Sequence, residues 1–461
     1  MRKSTRSFGF LCAALLGGAF ILGSDEAQAQ TTKQYIIVAK QIGKPRTSLL
    51  SAVAAAQGTV LQTLDEPGLV LAASSNPDFA ASLARDRAVQ EVAEDLEVQW
   101  ISPNEFAVEV QGADFVPAGV SSEPLGFLQW NLPQIHADAT AAGGNFGEGA
   151  VVAVIDTGIN TGHLDLVQNI DFAHSKAFVQ STLYPAGFPA YEDDVFHGSH
   201  VAGIIAAAIN NFGVQGVAPR AKIVAVKVLN DKGSGTFWNI ISGIEYAVSL
   251  QVDVINMSLG ATFDRNKGVS GFNAGPLIAA LNRAINHATA AGVLVVSAAG
   301  NQGVDLNGRY VSVPAQSGNG MAVSATGPIG LLNFDRLASY SNYGRSVIDV
   351  AAPGGDATLY TEDPANPNYG TWFRDMVASC GNRDPAHPNS FGSVNRWYFA
   401  AGTSMAAPHV SGVAALIVGK YGKLPPAQIK ALIEHSADDI LKPGADAESG
   451  RGRINALRAL Q

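Results

Sequence analysis

Two histidines stand three positions apart in "FHGSH", at His197 and His200. The run "HGSHVAGIIAAAIN" reads as a helix from about His197, and residues three apart share one helix face. The pair admits two chemistries: a shared metal ion, or one imidazole doing acid–base work while the other packs. The metallopeptidase helix needs Glu between its histidines at i, i+4 spacing, and that Glu is missing. The nearest third ligands are Asp193 and Asp194.

Three more residues have types suited to chemistry. Ser404 lies in "AAGTSMAAPHVSGVAALIVGKYG", where Gly402-Thr403 forms a turn and a helix follows, with Pro408 in its first turn. A serine there is either a plain N-cap or a nucleophile, which needs a histidine to take its proton. Free N–H groups at the helix start would help hold an oxyanion. Asp156 ends the apolar run "AVVAVI". Buried, it requires a cationic or hydrogen-bonding partner; otherwise it makes a local turn with Thr157 and Gly158. Asn301 ends "GVLVVSAAG", either as a turn residue or as an amide donor at the mouth of a sheet.

The elements that position them follow from the apolar pattern. From about residue 126 short β-rich runs recur: "AVVAVIDTG", "KIVAVKVLN", "DVINMSLG", "GVLVVSAAGN", "MAVSATG" and "SVIDVAAPG". They are near-continuous rather than alternating, as in parallel strands buried on both faces. Helical stretches such as "WNIISGIEYAVSL" and "LIAALNRAINHATAAG" lie between them. The expected fold class is α/β, a doubly wound and mostly parallel sheet. In such sheets ligands bind beyond the carboxyl ends of the strands, where Asp156 and Asn301 fall. Residues 354–398 are the main irregular region, too long for a simple connector and expected to act as a functional loop or lid.

Ahead of this unit, residues 30–115 read β-α-β-β-α-β: "QYIIVA", "SLLSAVAAA", "GTVLQTL", "LVLAAS", "PDFAASLARD" with Pro77 just inside its start, and "VQEVAEDLEVQW". That order is a small α+β ferredoxin-like domain. Residues 116–125, within "GADFVPAGVSSEPLG", read as an exposed, cleavable linker. At the start, Arg2, Lys3 and Arg6 precede an apolar stretch too short for a comfortable membrane span, and Ala27-Gln28-Ala29 has cleavage-site form. Residues 1–29 are therefore expected to be a signal peptide, giving a secreted protein, extracellular or periplasmic, with no membrane attachment after cleavage.

Bulk properties narrow the function. A formal charge of −9 and the lack of a basic tract argue against nucleic acid and anionic membranes as partners. Of two cysteines, Cys12 would leave with the signal. Cys380 is then alone, so no internal disulfide can form. Stability must come from a large core, since hydrophobic residues make up 47%.

The four blocks "VIDTG", "HGSHVAG", "SAAGN" and "GTSMAAPHV", in this order, resemble the subtilisin-like serine peptidases. The resemblance covers residues 126–461, with "QWNLPQI" similar to the family's opening segment and "GRGRINALRAL" to its closing helix. Residues 34–98 resemble the inhibitory propeptide found ahead of many members. The resemblance implies that Asp156, His197 and Ser404 form a catalytic triad, in the subtilisin order, and that Asn301 supplies the side-chain donor of the oxyanion hole. Ser404 lacks the following glycine of a G-x-S-x-G elbow.

The resemblance further implies that "GSG", Gly233, Ser234 and Gly235, and "SLG", Ser258, Leu259 and Gly260, are two edges between which an extended protein or peptide substrate lies as an added strand. By themselves both are glycine turns. The pocket before the scissile bond would be lined by Ser258 to Gly260 and by Ala298, Ala299 and Gly300. No charge falls there, so an apolar or broad preference is expected, which Asp305 would modify. Asp165 matches a carboxylate ligand of a family calcium site; Asn210 would give a side-chain oxygen, and Ala208, Phe212 and Val214 carbonyls, a hard-oxygen set suited to Ca²⁺. Leu164 stands where the family usually has Pro, and the alternative is an Asn-Asn turn without metal. The expected protein is a monomeric secreted serine endopeptidase, made as a zymogen whose own propeptide blocks the cleft. The alternatives are a catalytically dead binding protein on the same scaffold, and a metal-dependent hydrolase using His197 and His200.

Overall fold

The structure, a computed structural model, describes residues 31–461 except 44–46, 103–104, 106, 111–122 and 267–273. The signal peptide and most of the linker lie outside the described residues.

The N-terminal domain has strands β1 (Lys33–Ala39), β2 (Gly58–Leu64), β3 (Leu69–Ser74) and β4 (Val89–Glu94), with helices α1 (Thr47–Ala55) and α2 (Phe79–Leu83). Its sheet runs β2-β3-β1-β4, with every neighbouring pair antiparallel, the ferredoxin-like arrangement expected. Helix α2 starts at Phe79, so Pro77 lies ahead of it rather than inside. The run Tyr35 to Ala39 is buried throughout, because both faces of the sheet are covered. Tyr35, Ile37 and Val70 pack with Leu49 and Phe79 of the domain's own helices, while Ile36, Val38, Leu69 and Leu71 join the core of the larger domain.

The last extended run divides in two. β4 completes the small sheet, but β5 (Glu97–Gln99) leaves it to pair elsewhere, and β6 (Ala107–Glu109) does the same. Short helices α3 (Asn131–Gln134) and α4 (Ala137–Ala142) then open the large domain.

The large domain is built on a seven-stranded sheet. β7 (Val151–Asp156) is followed by β8 (Lys176–Ala177), α5 (His197–Ala206), β9 (Lys222–Lys227), β10 (Ser234–Thr236), α6 (Phe237–Ser249) and β11 (Val254–Met257). Next come β12 (Ala261–Asp264), α7 (Gly275–Ala290), β13 (Leu294–Ala298), β14 (Tyr310–Val313), β15 (Met321–Thr326) and β16 (Val350–Pro353). The sheet order is β16-β15-β13-β11-β7-β9-β8, and its described pairings are all parallel. All six apolar runs read from the sequence are strands of it. The order reverses beside β7, whose neighbours are β9 on one side and β11 on the other, so the switch-point crevice opens at the end of β7.

Residues 354–398 are not a simple loop. They hold β17 (Val377–Cys380) and α8 (Phe391–Val394), and lead into β18 (Trp397–Ala400). β18 pairs with β17 on one side and β6 on the other. Helices α9 (Thr403–Tyr421), α10 (Pro426–Ser436) and α11 (Ala456–Ala459) close the chain. Cys380 is buried, and burial raises its thiol well above the ordinary range.

A buried ion pair ties the 381–396 segment to the loop before α5. Arg383 Nε donates to Glu192 Oε1 at 2.7 Å, and both side chains are nearly inaccessible. Arg383→Ala would leave the Glu192 carboxylate buried and unpaired, which costs about 3–5 kcal/mol. A matching fall in the denaturant midpoint is expected, and an unchanged midpoint would show the segment to be independently held.

Candidate active site

Asp156 arrives at the carboxyl edge of the sheet as the last residue of β7 and is fully buried. It finds the partner that burial requires. His197 Nδ1 lies 2.7 Å from its Oδ1, which also accepts the Thr157 N–H at 2.7 Å.

Two bare glycines let α5 approach that closely. A Cβ on Gly198 would stand 2.1 Å from the Gly158 carbonyl, and Gly158 itself has φ +116°. Asp193 fixes the helix start. Its Oδ2 accepts the Ser199 N–H at 2.9 Å and the Ser199 hydroxyl at 2.6 Å, so Ser199 serves the helix start, not the chemistry. Its Oδ1 accepts the Val195 and Phe196 N–H groups and the Thr157 hydroxyl. Phe196 is thereby held at φ +143°, a strained conformation for a bulky residue and typical of functional sites. The sequence reading weighed Asp193 only as a metal ligand; its spacing six residues ahead of Ser199 carried no capping signature.

The histidine pair divides its labour. His200 Nε2 faces the carbonyls of Val377 (3.1 Å) and Tyr398 (3.0 Å), joining α5 to the β17–β18 hairpin. Burial pushes its pKa down to about 3. His197 faces carboxylates instead, so the two imidazoles do not converge on a common ligand site.

Ser404 lies in the first turn of α9. Pro408 is well inside that helix rather than in its first turn, a correction with a consequence. A proline has no N–H to give the carbonyl four residues back, which is that of Ser404. The Ser258 hydroxyl takes that carbonyl instead, at 2.7 Å. Asn301 is held by its oxygen: Oδ1 accepts the Thr403 N–H at 2.9 Å and the Thr403 hydroxyl at 2.7 Å. Its Nδ2 is thus turned into the cleft. Thr403 looked like a turn residue in the sequence, and only the fold brings it against Asn301.

The cleft holds a residue that the sequence reading missed. Glu105 places one oxygen 3.2 Å from His197 Nε2, and its other oxygen accepts from Asn301 Nδ2 (3.2 Å) and the Ser404 hydroxyl (3.3 Å). Burial alone would lower the pKa of His197, but Asp156 and Glu105 outweigh it and hold the ring well above its ordinary value. Nothing around Glu105 in the sequence signals this.

The two edge segments flank the same cleft. β10 pairs antiparallel with β5, matching Ser234 to Gln99 and Gly235 to Val98. The Gly233 carbonyl accepts the Trp100 and Ile101 N–H groups, and the Gly260 N–H donates to the Trp100 carbonyl at 2.9 Å. A side chain at Gly260 would stand 3.8 Å from the Ala298 carbonyl, so the 258–260 and 298–300 stretches face each other. Ser258, Leu259, Ala298 and Ala299 are buried. Asp305 is exposed.

Residues of the expected calcium set lie on adjoining segments. Asp165 is buried; its Oδ2 accepts from Val214 N (3.0 Å) and Trp397 Nε1 (2.8 Å), while its Oδ1 has only the Asn210 amide at 3.5 Å. Burial raises its pKa to about 7. Asn210 Oδ1 is buried without a partner among the described residues, and the Ala208 N–H bonds the Asp165 carbonyl at 2.8 Å. An uncompensated carboxylate beside an orphaned amide oxygen fits a hard cation. Glu123 ties the same loop by accepting the N–H groups of Asn210, Asn211 and Phe212. His163 and Cys380 lie near Asp165, but both nitrogens of His163 are engaged, by Asp165 N and by the Arg396 carbonyl. That trio is not a soft-metal site.

A carboxylate, an imidazole and a hydroxyl, gathered with an amide donor at the switch point of a parallel sheet, define a hydrolase of the nucleophilic-serine class. The Subtilase family matches residues 147–452. The chain belongs to the subtilase family of serine endopeptidases. It is 33% identical to subtilisin E of Bacillus subtilis (strain 168) over 434 residues, 94% of this chain and 92% of that one. It is 36% identical to a thermostable alkaline protease of Halalkalibacterium halodurans over 337 residues, 72% of this chain and 74% of that one. Among solved structures, the epidermin leader peptide processing serine protease of Staphylococcus aureus shares the fold with a TM-score of 0.71 at 23% identity, over 93% of this chain and 98% of that one.

Thr403→Val keeps the shape but removes the hydroxyl that holds Asn301. Outright removal of such a donor costs on the order of 10²–10³ in kcat in subtilisin. A smaller loss, roughly tenfold, is expected here, falling on kcat with KM and the melting temperature retained. A loss in KM alone would place Thr403 in substrate binding instead.

Proposed function

We propose that this protein is a secreted serine endopeptidase, made as a zymogen, that cleaves peptide bonds with Ser404, His197 and Asp156 and stabilises the oxyanion with Asn301. The convergence of Ser404, His197 and Asn301 on one buried carboxylate, with Asp156 behind the histidine, carries this reading. A group that all three reach marks the volume where a scissile carbonyl would react.

In the mature enzyme His197 removes the Ser404 proton as the hydroxyl oxygen attacks the carbonyl carbon. Asp156 keeps the Nδ1 proton on the ring and stabilises the imidazolium. The carbonyl oxygen, now negative, takes hydrogen bonds from Asn301 Nδ2 and the Ser404 backbone N–H. His197 then gives its proton to the departing amine, and water hydrolyses the acyl-enzyme by the same route. The substrate lies between the Gly233–Gly235 and Ser258–Gly260 edges, on the track that residues 97–101 follow in this chain. The N-terminal domain, seated on α6 and α7, serves as the propeptide; secretion rests on the signal-like residues 1–29.

Ser404→Ala is expected to abolish hydrolysis and to leave the precursor uncut. Mass spectrometry after fluorophosphonate treatment should find one labelled serine, Ser404, in the wild type; a dead binding scaffold would leave it unmodified. His197→Ala should remove nearly all activity. His200→Ala should mainly cost stability, about 1–3 kcal/mol for the two carbonyls left without a donor. Equal loss of activity in both would undo the division of roles.

Calcium is part of the same proposal. Asp165, Asn210 and the carbonyls of Ala208, Phe212 and Val214 would hold one ion, which stabilises the loop without entering the chemistry. A chelator should lower the melting temperature, calcium should restore it, and Asp165→Asn should remove that response. A chelator-insensitive melting temperature counts against the site.

A further inference from the structure

Glu105 stands where a reacting peptide would have its oxyanion, and both sides of it are tied down. Upstream, β5 adds to β10, and the backbone of Trp100 and Ile101 bonds to Gly233 and Gly260. Trp100 is an anchor: it is 1% exposed, its indole N–H donates to the Gly235 carbonyl at 2.9 Å, and its ring meets Phe237 edge-on at 5.0 Å. Downstream, β6 pairs with β18, just before Ser404. Of the residues between these clamps, Ser102 and Glu105 do not sit as a substrate would. The Glu105 N–H donates to the Ser102 carbonyl at 2.9 Å, so that carbonyl faces its own chain rather than Asn301.

The receiving site suits a carboxylate. The Glu105 side chain is 2% exposed. Gly402 makes room, since a Cβ there would stand 2.9 Å from Glu105 Oε1. Asn301 Nδ2 and the Ser404 hydroxyl are donors, and His197 supplies a cation when protonated. Asp156 is on the far side of the ring and Tyr340, the other titratable group facing Glu105, gives its hydroxyl to the Gly354 and Gly355 carbonyls. A negative oxygen in this position reproduces the charge of the tetrahedral intermediate without any bond being made.

We propose that the Glu105 carboxylate is an intramolecular oxyanion mimic that keeps the uncut precursor silent. It does so in two ways. It fills the oxyanion position, and with Asp156 it brackets His197 between two carboxylates. The ring is then held as imidazolium and cannot accept the Ser404 proton. A cut on either side of Glu105, made by an already matured copy, removes one clamp, and the carboxylate is no longer held at high local concentration. This inference rests on Ser404 being the nucleophile.

The test compares full-length wild type with Glu105→Gln and Glu105→Ala. Intact mass separates uncut from cut chains, and the rate of fluorophosphonate labelling is read on the uncut species alone. Labelling should be roughly tenfold faster or more in both variants, the scale on which oxyanion contacts act. Equal rates overturn the proposal, and no labelled serine in any chain overturns the peptidase reading instead. Glu105→Gln preserves shape, so it remains informative if Glu105→Ala fails to fold. In the Ser404→Ala chain, which cannot cut itself, the His197 ring should titrate above the usual imidazole range by NMR. Adding Glu105→Gln should lower that midpoint, and an unchanged midpoint means that Glu105 merely packs.

Discussion

A carboxylate removed from water must be paired, and in this protein Asp156 meets that demand with one imidazole. Much else is arranged around that contact. Asp156 is fixed by its place at the end of a buried parallel strand, beside the point where the sheet order reverses. His197 has to be brought to it by a helix from another part of the chain. The approach works only because Gly158 and Gly198 leave their backbones free to touch. Thr157 and Asp193 then set the helix start by hydrogen bonds to both sides of the contact. The positive φ of Phe196 is the local strain that this placement entails.

The Ser404 side of the cleft is organised by its neighbours. Proline inside α9 frees the Ser404 carbonyl, and Ser258 satisfies it, so an edge segment of the cleft is bonded directly to the Ser404 backbone. Thr403 orients Asn301 through two hydrogen bonds to its oxygen, leaving the amide hydrogens for the cleft. The site is therefore preorganised before anything binds, which is what electrostatic stabilisation of a developing charge requires. The same preorganisation attracts any carboxylate within reach, and the chain supplies one in Glu105.

Among the described residues stability has to be found without a disulfide, since Cys380 is their one cysteine and is buried. Apolar side chains cover both faces of the sheet in two large clusters. The 354–398 region adds to this. Its β17 strand is received by His200, its Arg383 pairs with Glu192, and its Trp397 donates to Asp165. The part of the expected functional loop or lid from Val377 to Trp397 packs between α5 and the candidate ion loop.

The sequence by itself determined the parts that depend on local pattern. Continuous apolar runs fixed the buried parallel strands, because a strand covered on both faces cannot alternate. The four motif blocks marked Asp156, His197, Asn301 and Ser404 through their joint resemblance to the subtilase family. The β-α-β-β-α-β order of the first domain was legible for the same reason. Tertiary structure alone decided the long-range pairings. It sent β5 and β6 out of the small domain and into the cleft and the β18 edge. It set Asp193, Thr403 and Ser258 as supports, and it turned His200 toward two carbonyls. It also placed Glu105 against His197, Asn301 and Ser404. A single carboxylate has no periodicity or spacing to mark it; only the folding of distant strands against each other brings it to His197, Asn301 and Ser404.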